Sequence, residues 1–314
     1  MENNLNWLSK MHDATFQLNI VNPHESDPYL QEYLSFYKFD TTSFDEYRCG
    51  TIKSHGRNIF MQAFLKRKEK RVGRILFVHG YLDHTGGMSQ TVNELLTSGY
   101  EVVTIDLPGH GFSQGEKGTI ATFDQYVEAI QKAYQFINQA LTPSKLIGLG
   151  HSTGGSILFH AASEKKVELD SLILVAPLYY PYRWNLVRGA SRIVGKVIPK
   201  QKRRFRKNSQ DKLYRQFIKK DPLQVKWLKA DWITAMEDWQ KHIVYCSILR
   251  IPVYFIQGGK DTTVDYQKNV TFFKQKCSDL QVAFFPSGRH QLLNEQEDTR
   301  ALVYERITSF LSKV

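Results

Sequence analysis

Leu146-Ile147-Gly148-Leu149-Gly150-His151-Ser152-Thr153-Gly154-Gly155 is the stretch that decides the fold. Leu146 to Leu149 is a short apolar run, the pattern of a strand buried on both faces. Ser156 to Ser163, just beyond, reads as a helix. Gly150-His151-Ser152-Thr153-Gly154 is therefore a G-x-S-x-G turn in strand–turn–helix context, which lifts the Ser152 hydroxyl to the rim of a sheet. Gly150 and Gly154 stand where a side chain would clash with neighbouring elements. The helix N-terminus behind Ser152 offers partial positive charge to an oxygen that gains negative charge. A bare match to this pattern is weak. The flanking strand and helix make Ser152 a candidate nucleophile.

Working outward, similar apolar runs recur at Ile75–Val78, Val102–Ile105, Leu172–Val175, Val253–Ile256 and Val282–Phe285. Each predicts a strand buried on both faces. Amphipathic stretches lie between them. Phe123, Tyr126, Val127, Ile130, Ala133, Tyr134 and Ile137 recur at three and four, and Leu302 to Leu311 reads as a closing helix. This alternation predicts an α/β fold, a mostly parallel sheet with helices on both faces. Tyr47 to Ile52 and Ile59 to Leu65, either side of Ser-His-Gly-Arg-Asn, predict an antiparallel hairpin at the sheet edge. Residues 46–177 and 248–314 make up the core in this reading. Residues 178–247 form an inserted helical cap, and residues 1–45 a lead-in segment that wraps the core.

A hydroxyl needs a base to attack at neutral pH. Active groups in such sheets gather at the carboxyl ends of the strands. Asp261 follows the Val253–Ile256 run through Gly258-Gly259-Lys260, and His290 follows Val282–Phe285 through Pro286-Ser287-Gly288-Arg289. Ser152, Asp261 and His290 are thus the candidate catalytic set, in the order serine, acid, histidine. Asp265 is the rival acid, and its plainer reading is a charge at the start of the next helix. His79-Gly80-Tyr81 follows Ile75–Val78, so the backbone N–H groups of Tyr81 and Thr153 are the candidate oxyanion donors. The His79 side chain reads as a brace for that loop. Asp106 and His110, in Asp106-Leu107-Pro108-Gly109-His110-Gly111-Phe112-Ser113, read as loop-holding groups. His84 is a candidate for lining the pocket. His12, His24, His55, His160 and His242 lack metal-like spacing, so no metal and no cofactor are expected.

The 314-residue chain carries a net charge of +11, unevenly placed. Residues 178–247 hold 17 lysines and arginines against 5 acids, and the rest holds 25 against 26. The excess charge therefore belongs to the cap. Four of the five tryptophans, Trp184, Trp227, Trp232 and Trp239, lie there too. Mixed with basic residues, they make peripheral contact with an anionic membrane one expectation. The other is a solvated lid with its aromatics packed on the core. No nucleic-acid motif accompanies the charge, so no nucleic-acid partner is expected. Cys49, Cys246 and Cys277 show no paired spacing, which predicts isolated thiols and a reducing, cytoplasmic setting. The first ten residues lack a secretory pattern, and no run is long and apolar enough to span a membrane.

With Gly258-Gly259-Lys260-Asp261 and Gly288-Arg289-His290 added to the runs above, the sequence resembles the α/β hydrolases over about residues 46–314. Within them it is similar to the monoacylglycerol lipase and bacterial lysophospholipase branch. That resemblance implies a serine hydrolase acting on carboxylic esters of single-chain lipids. Thr153 stands where many relatives have methionine, but the role expected there needs only the backbone. The fold also hosts aminopeptidases, amidases and acyltransferases with the same residues, and non-catalytic binding proteins. A peptidase reading calls for an acidic group in the cap to hold a substrate N-terminus, and the cap is basic.

Overall fold

The computed structural model describes residues 7, 8, 10, 28–194, 200–203, 205 and 207–314. Pro199, Arg204, Arg206, His12 and His24 lie outside the described residues, as does most of the stretch before residue 28. The element order is α1 (Pro28–Phe36), β1 (Glu46–Ser54), β2 (Arg57–Leu65), β3 (Gly73–Val78), α2 (Ser89–Thr97), β4 (Tyr100–Ile105), α3 (Asp124–Ala140), β5 (Leu146–His151), α4 (Thr153–Ser163) and β6 (Ser171–Val175). After β6 the chain forms α5 (Trp184–Val194), β7 (Lys200–Lys202), α6 (Lys212–Lys220), β8 (Trp227–Lys229) and α7 (Ala230–Ile243). It then completes the sheet with β9 (Leu249–Gly258), α8 (Tyr266–Lys276), β10 (Cys277–Phe285) and α9 (Glu297–Leu311).

Eight strands form one sheet in the order β1-β2-β4-β3-β5-β6-β9-β10. The β1–β2 and β2–β4 pairs are antiparallel, and every pair from β4 to β10 is parallel. Alternation along β3 shows how one strand serves two cores. Leu76 and Val78 join the cluster that includes Val127, Ile130, Leu158 and Phe273. Ile75 and Phe77 join the cluster that includes Val92, Ile307 and Phe310. One face is thus covered by α3, α4 and α8, the other by α1, α2 and α9. Trp7, Leu30, Tyr33, Leu34 and Tyr37 are buried in the second cluster, so these residues pack on the core.

One expectation needs correcting. Val282–Phe285 lies within β10, an edge strand, and Val282 and Phe284 are 42% and 49% exposed. The run is apolar but has a neighbour strand on one side only, so it is not buried on both faces. Of the two readings of the cap tryptophans, packing on the core is the one the structure favours. Trp184, Trp232 and Trp239 are buried in the core cluster, and Trp227 alone of the four is exposed, at 44%.

Between β6 and β9, the two-stranded β7–β8 sheet stands apart from the main one. Cys49 and Cys277 are buried, Cys246 is half-buried, and none of the three is in a disulfide. Among the described residues, no helix is long and apolar enough to cross a membrane.

Candidate active site

Ser152 sits between β5 and α4 with φ 51° and ψ −119°, a left-handed backbone that a non-glycine residue adopts only when its surroundings enforce it. The surroundings are packed backbone. A Cβ on Gly154 would come within 2.3 Å of the Val78 carbonyl oxygen, and one on Gly150 within 2.4 Å of the Gly155 Cα. The Ser152 N–H donates to the Val175 carbonyl at 2.9 Å, and the Ser152 carbonyl accepts from the Leu178 N–H at 3.1 Å. The turn is thus fixed from β3 on one side and β6 on the other.

The three sequence candidates meet here. The Ser152 hydroxyl lies 3.0 Å from His290 Nε2, and His290 Nδ1 lies 2.8 Å from Asp261 Oδ2. Since Nδ1–H donates to a carboxylate, Nε2 is left as the acceptor for the serine proton. All three residues are buried. The Asp261 carboxylate accepts from the N–H groups of Thr263 and Val264 and from Gln257 Nε2. Burial opposes its ionisation, but the adjacent His290 and these donors prevail and hold the carboxyl below the ordinary carboxylate range. Asp265 instead caps α8 through the Lys268 N–H, as its plainer reading expects.

The Tyr81 and Thr153 backbone N–H groups find no backbone acceptor among the described residues, and both residues line the cavity at Ser152. His79 braces the first of these loops. Its Nε2 accepts from the Leu107 N–H at 2.9 Å, and its Nδ1 faces the Gly80 carbonyl at 2.8 Å. Asp106 accepts from the N–H groups of Thr85 and Phe112. His110 Nδ1 faces the Pro108 carbonyl at 3.0 Å. Both therefore hold loops, as read from the sequence. His84 does not line the cavity: its Nε2 is 2.8 Å from Asp221 Oδ2 in a fully buried pair.

Several supporting groups escaped the sequence reading. Gln257 is a wholly buried amide at the end of an apolar run, and a polar residue there was a usable signal. His151 Nε2 lies 3.0 Å from the His290 carbonyl and steadies the loop that presents that imidazole. Burial and the neighbouring His290 push the His151 pKa down to about 3, so it stays neutral. Glu295, also buried, accepts from the Arg289 N–H at 2.9 Å and from the Gln210 N–H at 2.7 Å. It ties the loop before His290 to the inserted segment, and no sequence spacing announces that link.

A cavity of about 440 Å³ opens above Ser152. Leu178, Trp184, Val187, Ile218, Trp232 and Ile233 supply much of its apolar wall. Tyr81 stacks on Trp232 with ring centroids 3.8 Å apart and planes 13° apart, so the loop that carries this candidate oxyanion donor is clamped by α7. Among the described residues, no group of three or more His, Cys, Asp or Glu side chains is arranged to hold a metal ion.

A mostly parallel sheet of this order, a serine on a strained strand-to-helix turn and an inserted helical cap define an α/β-hydrolase. Residues 69–297 match the Hydrolase_4 family, described as serine aminopeptidase, S33, and the chain belongs to that family. It is 23% identical over 253 residues to a monoglyceride lipase of Saccharomyces cerevisiae, covering 72% of this chain and 80% of that protein. A monoacylglycerol lipase of Mycolicibacterium smegmatis is 22% identical over 254 residues, covering 76% and 88%. Among solved structures, a soluble variant of the S. cerevisiae monoglyceride lipase bound to a substrate analogue superposes with a TM-score of 0.71 at 20% identity. That match covers 84% of this chain and 94% of the other, and it shows the shared fold.

Proposed function

We propose that the protein hydrolyses carboxylic esters of single-chain lipids, monoacylglycerol-like or lysophospholipid-like, through an acyl-enzyme on Ser152. The observation that carries this is the hydrogen-bonded run Ser152–His290–Asp261 at the floor of a largely apolar cavity. His290 takes the Ser152 proton as the hydroxyl attacks the ester carbonyl, then returns it to the leaving alcohol. Asp261 keeps the imidazole in the right tautomer and stabilises the imidazolium. The Tyr81 and Thr153 amides receive the oxyanion, helped by the N-terminus of α4. Water then repeats the cycle on the acyl-enzyme. Residues 46–177 and 248–314 act as the catalytic core and residues 178–247 as its cap.

The family's description raises aminopeptide hydrolysis as the competing reading. A peptide N-terminus is cationic and calls for a carboxylate partner. Among the described lining residues there is no Asp or Glu, while Lys202, Arg203 and Lys229 are present. That lining favours esters. The relatives named as monoglyceride lipases favour them as well.

Ser152→Ala should lower ester hydrolysis by about 10⁴-fold or more. A fluorophosphonate should label the wild type and not the variant. A panel of graded p-nitrophenyl esters, monoacylglycerols and aminoacyl amides checks the reaction class. Turnover retained in the variant, or a preference for the amides, would overturn the assignment.

Peripheral contact between the cap and an anionic lipid surface is the second element of the proposal. The buried tryptophans no longer support it, but Leu186, Val187, Leu213 and Trp227 are exposed on a segment rich in lysine and arginine. Lysines near an anionic surface contribute about 1 kcal/mol each. Co-sedimentation with phosphatidylglycerol vesicles should exceed that with phosphatidylcholine vesicles and fall as salt rises. Equal binding to both would leave the cap as an ordinary lid.

A further inference from the structure

The polar end of the cavity has an unusual charge balance. The β7–β8 region contributes Lys202, Arg203 and Lys229 to its lining, and no carboxylate answers them within it among the described residues. Lys229 pairs with Glu116, an exposed acid outside the lining. Arg203 is held in place by neutral oxygens. Its Nη1 donates to the Leu82 carbonyl at 3.2 Å, the Gln224 Oε1 at 2.7 Å and the Val225 carbonyl at 3.3 Å. Its Cζ lies 4.6 Å from the Phe205 ring centroid. Asp83 lies one hydrogen bond further out, since Gln224 Nε2 donates to its carboxylate at 2.9 Å. No carboxylate oxygen reaches Arg203 directly among the described residues. Its Nε and Nη2 donors find no acceptor among them either. Lys202, exposed beside it, likewise has no partner among them.

Half-buried Arg203 therefore cannot act as a free surface cation. Burial disfavours its charge, and a guanidinium set in a cavity without a direct carboxylate partner is costly. That cost persists in a binding site when the ligand supplies the missing anion. A guanidinium fork matches the oxygens of a phosphate or carboxylate, and a neighbouring ammonium adds a second, mobile donor. A neutral glycerol head would leave Arg203 with only Asp83 and Asp221, neither in direct contact, to answer its charge.

We infer that the substrate's polar end carries an anionic oxyacid group, phosphate or carboxylate, which docks on Arg203 and Lys202 while the ester lies at Ser152. The inference rests on the ester-hydrolase reading and narrows it to an acidic single-chain ester. The acyl chain then occupies the apolar wall formed by Leu178, Trp184 and Ile233.

Three monomeric substrates of one acyl length test it: a monoacylglycerol, the same ester bearing a 3-phosphate, and an acyl ester of glyceric acid. The kcat/KM for the acidic esters should exceed that for the neutral one at least tenfold at low salt. The ratio should fall as salt rises, and the two acidic arms tell phosphate from carboxylate. Lys202→Glu should cut the ratio at least fivefold, and because Lys202 is exposed the fold should survive the change. A neutral ester cleaved as well as the acidic ones, or a ratio unchanged in the variant, would overturn the inference. If no ester is cleaved, it is the hydrolase reading that has failed. Binding of dodecyl phosphate against dodecylglycerol ether, followed by tryptophan fluorescence of Ser152→Ala, then decides the anion site separately. At least tenfold tighter binding of the phosphate supports it, and equal binding sinks it.

Discussion

The serine turn and the inserted segment are built by opposite means. Around Ser152 the constraints are backbone against backbone. Cβ atoms on Gly150 or Gly154 would approach main-chain atoms within 2.4 Å, and Ser152 itself is bonded to Val175 and Leu178. The segment between β6 and β9 has a few backbone bonds to the core, such as Tyr182 N–H to the Thr263 carbonyl and Gln291 N–H to the Asn208 carbonyl, and is otherwise held by side chains at separate points. Trp232 stacks on Tyr81, Trp239 Nε1 donates to His160 Nδ1, Asp221 pairs with His84, and Glu295 receives the Gln210 N–H. Its only backbone ladder among the described residues is β7–β8, which does not join the main sheet. Backbone constraints leave almost no choice of residue, so the turn announces itself as a motif. Side-chain attachments can be made by many residue pairs, so the cap announces only its composition.

The sharpest way to break this comparison is at Asp261, where the edge of the core holds the proposed acid. Asp261→Asn should lower kcat by about 10³- to 10⁴-fold, because the amide no longer favours the working tautomer of His290. Asp265→Asn should stay near wild type, since asparagine caps a helix about as well as aspartate. Steady-state kinetics on a soluble ester measures both. An inactive Asp265→Asn beside a near-normal Asp261→Asn would move the acid and remove the sense of the geometry described here.

What was readable from the sequence follows the same division. The five apolar runs from Ile75 to Ile256 became central strands, and the hairpin took its place as β1 and β2. Ser152, Asp261 and His290 were legible because each follows a strand through a short, glycine-bearing connection. Edge position was not legible: Val282 and Phe284 look like core residues until β10 is seen to be outermost. Nor was the fate of the cap aromatics, because Trp184, Trp232 and Trp239 bury themselves against elements far away in sequence. Gln257 and Glu295 were missed for a related reason. Their importance lies in which amides and carboxylates they reach.

Point attachment of the cap predicts unequal costs for its tryptophans. Trp232→Ala removes a buried ring and leaves the Tyr81 ring without its stacking partner. It should cost about 3 kcal/mol in urea unfolding and also reduce kcat, since the Tyr81 amide belongs to the proposed oxyanion site. Trp227→Ala, on an exposed ring, should cost no more than about 0.5 kcal/mol. Equal costs would mean that the cap is held by something other than its buried aromatics.

The smallest expected effect is the pH dependence of stability at the buried His84–Asp221 pair, where the cap meets the loop after β3. Asp221 also accepts from the Tyr37 hydroxyl at 2.7 Å and from the Leu223 N–H at 3.0 Å, so one carboxylate joins the turn after α1, the cap and the core. Burial alone would lower the His84 pKa. The charge and hydrogen bond of Asp221 prevail, with Asp106 and Asp83 adding to them, and the pKa is raised. Burial likewise opposes ionisation of Asp221, yet His84 and its other donors hold its carboxyl below the ordinary range. A raised histidine pKa contributes stability that is fully present below the unfolded value of about 6.5 and is lost as pH rises through the folded one. A lowered carboxyl pKa contributes stability that is present above about 3.9 and is lost as pH falls through the folded one. The pair therefore stabilises most between those limits. The Tm difference between wild type and His84→Gln should be largest near pH 5.5 and shrink as pH rises above the histidine range. A Tm difference that stays constant from pH 5.5 to 9 would show that His84 acts there by shape and hydrogen bonding, without its charge.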